Sequence, residues 1–374
     1  MDYKIVKYSE IGKIRSGKRL PKGYTVSEKI SDNKYIRVRD INSGSIDSSI
    51  VQYITDEAAE KLERYKVKTR DVIISVVGTV GAIAQIDESL NGAYLTENCD
   101  NLQVDESLCL KDYLKYYLLS EDGNKEIIAN TVGSTQPKLP IYGIENFNIK
   151  LPSIDNQKRI VKLLNSIDKK IKLNNGINNN LYEEAVALYK DKFKGIGQGK
   201  KTIGDYIVPK RGKNLLTRDA IDGDTPVVAG GIAPSAYHNQ FNTKSPVITI
   251  SASGANAGYT NLWNIPVWAS DCSYIDDSIT KNVYFWYIVL KTRQNEIFDA
   301  QTGSAQPHIY PQHIAEMSIG ELSIAEVEKY NNLVAPLFKM IGENQKENKK
   351  LSQLRDTLLP KLMDGEIDLD NIEI

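Results

Sequence analysis

Laid on itself at a constant offset of 170 residues, the stretch from Asp112 to about Leu188 repeats without a gap. Glu126-Ile127 falls on Glu296-Ile297, Gly133-Ser134-Thr135-Gln136-Pro137 on Gly303-Ser304-Ala305-Gln306-Pro307, and Ser153-Ile154 on Ser323-Ile324. Asn174, Asn178 and Leu181 fall on Asn344, Asn348 and Leu351. Whatever the first copy builds, the second must build as well, so two similar bodies with a two-fold set of targets or partners are expected.

At 374 residues the chain can hold two domains of ordinary size, each with its own core. No apolar run approaches ~18 residues, and Met1-Asp2-Tyr3-Lys4 lacks the apolar start of a secretory signal, so a soluble, cytoplasmic protein without a membrane span is expected. The cysteines Cys99, Cys109 and Cys272 are odd in number and have no metal-like spacing, which suits a reducing compartment and core or surface thiols.

A net charge of −1 does not by itself point to nucleic acid, but the charge is unevenly placed. Residues 1–30 hold eight Lys or Arg against three acids, and 200–218 hold six against one. The two runs occupy the same place in each repeat, since Ile11-Gly12 through Gly17-Lys18 answers Ile203-Gly204 through Gly212-Lys213. Paired basic runs at matching positions favour phosphate contact over a merely solvated face. The last fifteen residues instead carry five acids against Lys361.

Each copy divides into a strand-rich part and a helical part. Residues 35–40, 72–77 and 81–86 read as strands in the first copy, and 225–229 and 246–250 in the second. Short helices follow at 112–119 and 282–289, with aromatics read as core. Gly17 pairs with Gly212 at an offset of 195 while Gly133 pairs with Gly303 at 170, so the second copy is shorter by 25 residues in its first half, a difference that belongs in loops.

The long helices carry the clearest pattern. In the first, Ile160, Leu164, Ile167, Ile171, Leu181, Ala185 and Leu188 recur in steps of four and three, with Asn174 and Asn178 filling the remaining seam positions. In the second the stripe runs through Val327, Val334, Leu337, Ile341, Asn344, Asn348, Leu351 and Leu358 to Pro360. Pro336 sits where Ser166 sits in the first copy and is expected to kink the helix or delay its regular portion. Neither stripe can be left facing water, so the two helices are expected to pack antiparallel about a pseudo-two-fold axis, with the β-rich domains at opposite ends. Asn174, midway between Ile160 and Leu188, should then lie near Asn344, where a polar pair fixes register; solvent-facing asparagines are the alternative. The expected fold is α+β: β-rich domains at 1–152 and 195–322, a central helix at 153–194, and a C-terminal helix with an acidic tail at 323–374.

No catalytic constellation emerges. Gly195–Thr202 does not fit G-x-x-x-x-G-K-[ST] and follows a helix instead of a strand, so it reads as a linker whose glycines end the first long helix. His238, His308 and His313 all lie in the second copy, so no His-based site can belong to both; His308 and His313 read as loop or surface residues. There is no Asn-Pro-Pro-aromatic tetrapeptide, no glycine-rich cofactor loop after a strand, and no nuclease-like carboxylate cluster. This points to a binding subunit.

Three segments carry a resemblance: Gly133-Ser134-Thr135-Gln136-Pro137-Lys138 with its echo at 303–308, Leu151–Ile160 opening the central helix, and Leu354–Ile367 near the C-terminus. Through them the chain resembles, over essentially its full length, the DNA-specificity subunit of type I restriction-modification systems. The resemblance implies that each β-rich part is a target recognition domain reading one half of a split double-stranded DNA sequence, and that the helices act as a ruler between the halves. It also implies two modification subunits bringing S-adenosylmethionine and adenine methyltransfer, and restriction subunits bringing ATP- and magnesium-dependent translocation and cleavage. No cofactor or catalysis is expected in this chain itself. Lys13, Arg15, Lys18, Arg19, Lys210, Arg211 and Lys213 are then candidates for phosphate contact. Arg37, Arg39, Gln136, Lys138, Gln306 and His308 are candidates for base readout, although the Gly-Ser-x-Gln-Pro segments also suit a turn that shapes the domain. Two rivals stay open: a coiled-coil scaffold or dimerisation protein whose β domains bind other proteins, and an enzyme with an unrecognised site.

Overall fold

The computed structural model describes residues 2–42, 44–303 and 306–367; of the acidic last fifteen residues, those beyond Ile367 lie outside them. The chain forms two compact units, Met1–Lys169 with Leu351–Ile374, and Lys170–Lys350. Each long helix, Ile154–Lys192 and Ile324–Met363, is therefore one continuous element that contributes one end to each unit.

The first unit is built on a four-stranded sheet in the order Gly12–Ser16, Cys99–Val104, Val72–Ser75, Ile83–Gln85, with antiparallel neighbours throughout. The central strand Val72–Ser75 is buried along its whole length, and its alternation explains why. Val72, Ile74 and Val76 face a core shared with Tyr113, Tyr116 and Tyr117 of the helix Lys111–Leu119. Ile73 faces the opposite way, into a core with Ile36, Leu95 and Cys99. A period of two with both faces apolar thus places the strand between a helical layer and a second sheet. That second sheet runs Gln52–Tyr53, Lys34–Ile36, Tyr94–Leu95, its last pair parallel. Tyr3–Lys7 pairs antiparallel with Asn148–Pro152 at the entry to the first long helix.

The second unit repeats the topology of these two sheets strand for strand. Its four-stranded sheet runs Lys210–Arg211, Cys272–Asp276, Val247–Ser251, Thr260–Trp263, and its three-stranded sheet Ala236–His238, Thr225–Val228, Trp268–Ala269, again with a parallel last pair. The pairing of Gly17 with Gly212 holds in space: the Gly17 N–H donates to the Cys99 carbonyl (2.9 Å) and the Gly212 N–H to that of Cys272 (2.8 Å). A Cβ would lie 2.0 Å from the Thr96 carbonyl oxygen at Gly17 and 2.4 Å from that of Ser270 at Gly212, so only glycine passes either crossing. The first unit has a hairpin (Ile41–Asn42 with Ser45–Ile46) and a helix (Asp56–Leu62) between its basic strand and its central strand, where the second makes shorter connections.

Within each unit the long helices pair antiparallel. Asn174 meets Asn348, Asn178 meets Asn344, and the Tyr330 hydroxyl donates to the Ala185 carbonyl, so partner numbers fall as the first helix advances. In the other unit Ile160 and Leu164 share a core with Leu359 and Leu362. The remaining seam residues Ile167, Ile171, Leu181, Leu188, Val334, Leu337, Ile341, Leu351 and Leu358 are all buried or half-buried.

Three local expectations are corrected. Asn174 does not meet Asn344: its amide donates to Asn348 (2.8 Å) and Glu347 (2.7 Å), while Asn344 donates to Asn178 (2.8 Å). The repeat carries Asn174 onto Asn344 and Asn178 onto Asn348, so the two amide pairs are images of each other and the symmetry centre falls between them, not on Asn174. The second helix is already regular from Ile324 and runs on through Pro336, so the proline does not delay its regular portion, and helical structure also continues past Pro360 to Met363. Proline removes one backbone donor, and the buried Val334, Phe338 and Ile341 around it hold the helix to its neighbours. Finally, residues 35–40 are not one strand: it ends at Ile36, and Val38–Asp40 forms a 3-10 turn in which the Asp40 carboxylate accepts from the Arg37 N–H (2.8 Å).

Candidate nucleic-acid interface

In the first unit Gly12–Ser16 is an edge strand, and period two sends Lys13 and Arg15 to the same exposed side. After the Gly17 crossing Lys18 and Arg19 are also exposed, Lys18 with its ammonium 6.0 Å from the Tyr65 ring centre. In the second unit Lys210 and Arg211 form the corresponding edge strand, and Lys213 follows Gly212; all three are exposed. An edge strand leaves one row of backbone groups and its outward side chains free to meet another surface, which is how a flat basic strip can follow a phosphate backbone.

The Gln-Pro segments form matching closed loops. Val132 and Lys138 exchange backbone hydrogen bonds (both 2.8 Å), and Thr302 and His308 do the same (3.0 and 2.8 Å). Gly133 and Gly303 hold φ of 89° and 90°, the left-handed region that glycine tolerates best. Each loop is tied to the turn after the central strand: Leu139 donates to the Val76 carbonyl and Ile309 to that of Ala252, with Lys138 bridged to Val77 and His308 to Ser253. Gln136, Lys138 and Gln306 are exposed at these tips; Ser304 and Ala305 lie outside the described residues. His308 is half-buried and stacks on Tyr310, centroids 6.1 Å apart. The shaping role of the segment and the display of its side chains are therefore compatible.

Of the two arginines proposed as readers beside these loops, Arg39 is exposed and Arg37 is turned inward. The Arg37 guanidinium donates to both Asp40 oxygens (3.1 and 2.8 Å), to the Ile50 carbonyl (2.9 Å) and to Gln52. These bonds fix the 3-10 turn and engage the donors that base readout would need, so Arg37 serves the loop's shape.

Two acids that the sequence reading passed over sit inside the basic strips. Glu97 Oε1 accepts from Arg19 Nε at 2.6 Å, while its Oε2 accepts from the Thr96 hydroxyl at 3.0 Å. Asp271 Oδ1 accepts from Arg211 and its Oδ2 from the Ser253 hydroxyl. Burial raises the Glu97 carboxyl, but the Arg19 hydrogen bond and charge, a backbone hydrogen bond and the Thr96 hydroxyl together outweigh it and hold the group below its ordinary range. The only trace in sequence is a hydroxyl residue followed by an acid, Thr96-Glu97 and Ser270-Asp271, in the region where the repeat offset drifts.

Elsewhere, burial pushes the Cys109 and Cys272 thiols up to about 12 and raises Cys99 as well. Such thiols stay protonated and unreactive at neutral pH. His238 is buried, its Nδ1 accepting from the Ile221 N–H (3.0 Å), a structural role. Among the described residues no group of three or more His, Cys, Asp or Glu is placed to hold a metal ion, and no helix is long and apolar enough to cross a membrane.

Residues 1–183 match the family model described as type I restriction modification DNA specificity domain. The chain is 26% identical over 305 residues to the specificity subunit of the type I restriction enzyme MjaIX of Methanocaldococcus jannaschii, covering 70% of each chain. It is 25% identical to the MjaVIII specificity subunit of the same organism, over 46% of this chain and 41% of that one. In fold it is similar to the crystal structure of a type I restriction-modification system S subunit from M. genitalium, with a TM-score of 0.58 and 18% identity over 97% of this chain and 96% of the other.

Proposed function

Because the chain belongs to the DNA-specificity subunits of type I restriction-modification systems, we propose that its two units each read one half of a bipartite duplex target and thereby direct adenine methylation or restriction by partner subunits. The observation that carries this reading is the duplicated pairing of a basic edge strand with a glycine-turned Gln-Pro loop, one set per unit. Lys13, Arg15, Lys18, Lys210 and Lys213, exposed on the strips, supply sequence-independent affinity through phosphates. Gln136, Lys138, Gln306, His308 and Arg39 offer the paired donors and acceptors that distinguish base edges in the major groove. Connections of unequal length between basic strand and central strand suit two different half-sequences.

The matched helical halves suit two like docking sites, and we assign them to two modification subunits. S-adenosylmethionine, and the ATP and magnesium of restriction, would be bound by partner subunits. The test is selection from a random duplex library by the complex assembled with its cognate modification subunits, with this chain alone as a control. Enrichment of two short half-sequences at a fixed gap is expected; no enrichment by the assembled complex would refute the reading and favour a protein-binding scaffold.

A further inference from the structure

Glu97 and Asp271 occupy the same place in the two units, directly after the equivalent residues Thr96 and Ser270 whose carbonyls crowd Gly17 and Gly212. Their arginines do not correspond: Arg19 lies two residues after Gly17, whereas Arg211 lies one before Gly212. The position of the acid is thus kept while the arginine reaches it from different points on the strip. In both units one carboxylate oxygen holds the arginine and the other holds a hydroxyl, so the acid is itself fixed. Both carboxylates are about one-third exposed, 29% and 31%, at the surface that carries the basic strip.

A negative charge here opposes phosphate binding, and a strip serving affinity alone would do better without it. It has a use where a guanidinium must be held in one orientation, since each pair ties down part of the fork and leaves other N–H groups to donate. We propose that Glu97 and Asp271 are specificity-positioning residues: each orients one arginine toward a base edge and keeps it from clamping phosphate of any sequence. This rests on the DNA-reading function proposed above.

The experiment compares wild type with Glu97→Gln and Asp271→Asn in the complex with modification subunits, using the random duplex library and then one selected and one scrambled duplex over a salt series. Freed arginines should turn to phosphate, so binding of the scrambled duplex should strengthen and its log K against log salt slope should steepen by about one unit. Discrimination should fall about tenfold, for Glu97→Gln within one half-sequence only and for Asp271→Asn within the other. Glu97→Asp and Asp271→Glu, which keep the charge, should restore the wild-type salt slope. Unchanged preferences and slope in both isosteric variants would overturn the proposal, as would an equal loss across both halves or failure to assemble, either of which marks a merely structural role. If wild type itself selects no sequence, the DNA-reading function fails and this inference falls with it.

Discussion

The repeat places Asp168 and Phe338 at the same position on the two long helices, where each helix meets the short helix of its own unit, yet their chemistry is opposite. Phe338 is 1% exposed, stacks on Tyr284 with centroids 4.9 Å apart, and meets Tyr287 edge-on at 5.7 Å. Truncating such a side chain costs about 3–5 kcal/mol, from lost transfer energy and the cavity left behind. Asp168 instead accepts from the Tyr116 hydroxyl (2.7 Å), Arg355 (3.1 Å) and Lys115 (3.5 Å). Lys115 is 7% exposed, and burial pulls its pKa down against the pull of Asp168. Removing one partner of a fully buried pair costs about 3–5 kcal/mol; because Asp168 keeps 30% and Arg355 25% of their exposure, about 2 kcal/mol is expected for Asp168→Ala. Trp263, Trp268 and Trp286 all lie within Lys170–Lys350, so tryptophan fluorescence reports that unit and far-ultraviolet circular dichroism reports both. With a urea slope of about 2 kcal/mol per molar, Phe338→Ala should lower the fluorescence midpoint by about 2 M. Asp168→Ala should leave that midpoint in place and lower a separate dichroism transition by about 1 M. Equal movement of the fluorescence transition in both variants would refute the reasoning, because it would show that the joints do not act locally.

Two further outcomes follow from named contacts. Burial raises the Asp112 carboxyl, but Arg70, donating to it at 2.7 Å, together with the Lys115 charge and the Asn165 amide, overrides burial and holds it below its ordinary range. A depressed folded-state pKa stabilises above the unfolded value and loses that contribution as pH falls through the carboxylate range, so wild type should lose stability between about pH 5 and pH 3 more steeply than Asp112→Asn in acid titrations followed by circular dichroism. Inserting seven residues into both long helices beside the asparagine pairs adds about 10 Å of helix, or about three base pairs; library selection should return the same half-sequences at a longer gap, and an unchanged gap would remove the helices as the ruler.

Much of this architecture is legible in the chain because it rests on periodicity and on glycine. The seam stripe, the Gly17–Gly212 correspondence and the two closed Gln-Pro loops each follow from a local rule that a sequence displays. What escapes reading depends on partners distant in sequence. Arg37 and Arg39 look alike as alternate residues of a supposed strand, but Asp40 turns the chain, and Gln52 and Ile50 arrive to take up one guanidinium. Placing the symmetry centre at Asn174 used only the midpoint of one stripe; the pairing register also depends on where the second helix begins its buried face. Glu97 and Asp271 were hidden because their offset is 174, while the neighbouring segments stand at 195 and 170.

The asparagine pairs and the two joints together say what the duplication has become. The pairs Asn174–Asn348 and Asn178–Asn344 map onto each other, as contacts across the axis of a dimer do. The joints no longer map in this way: Asp168 meets Arg355 in one unit, and the images of these residues are Phe338 and Ala185, which share an aromatic core in the other. A symmetric dimer of first halves would set Asp168 against Ala185 and leave it beside Lys115 without Arg355. A symmetric dimer of second halves would press Arg355 against Phe338. Both arrangements lose the Asp168–Arg355 ion pair, leaving Asp168 with Lys115 and Arg355 with Asp356, a loss that the fused chain avoids. The register at the centre is thus still that of a dimer, while the chemistry of the joints makes each half complete only with the other.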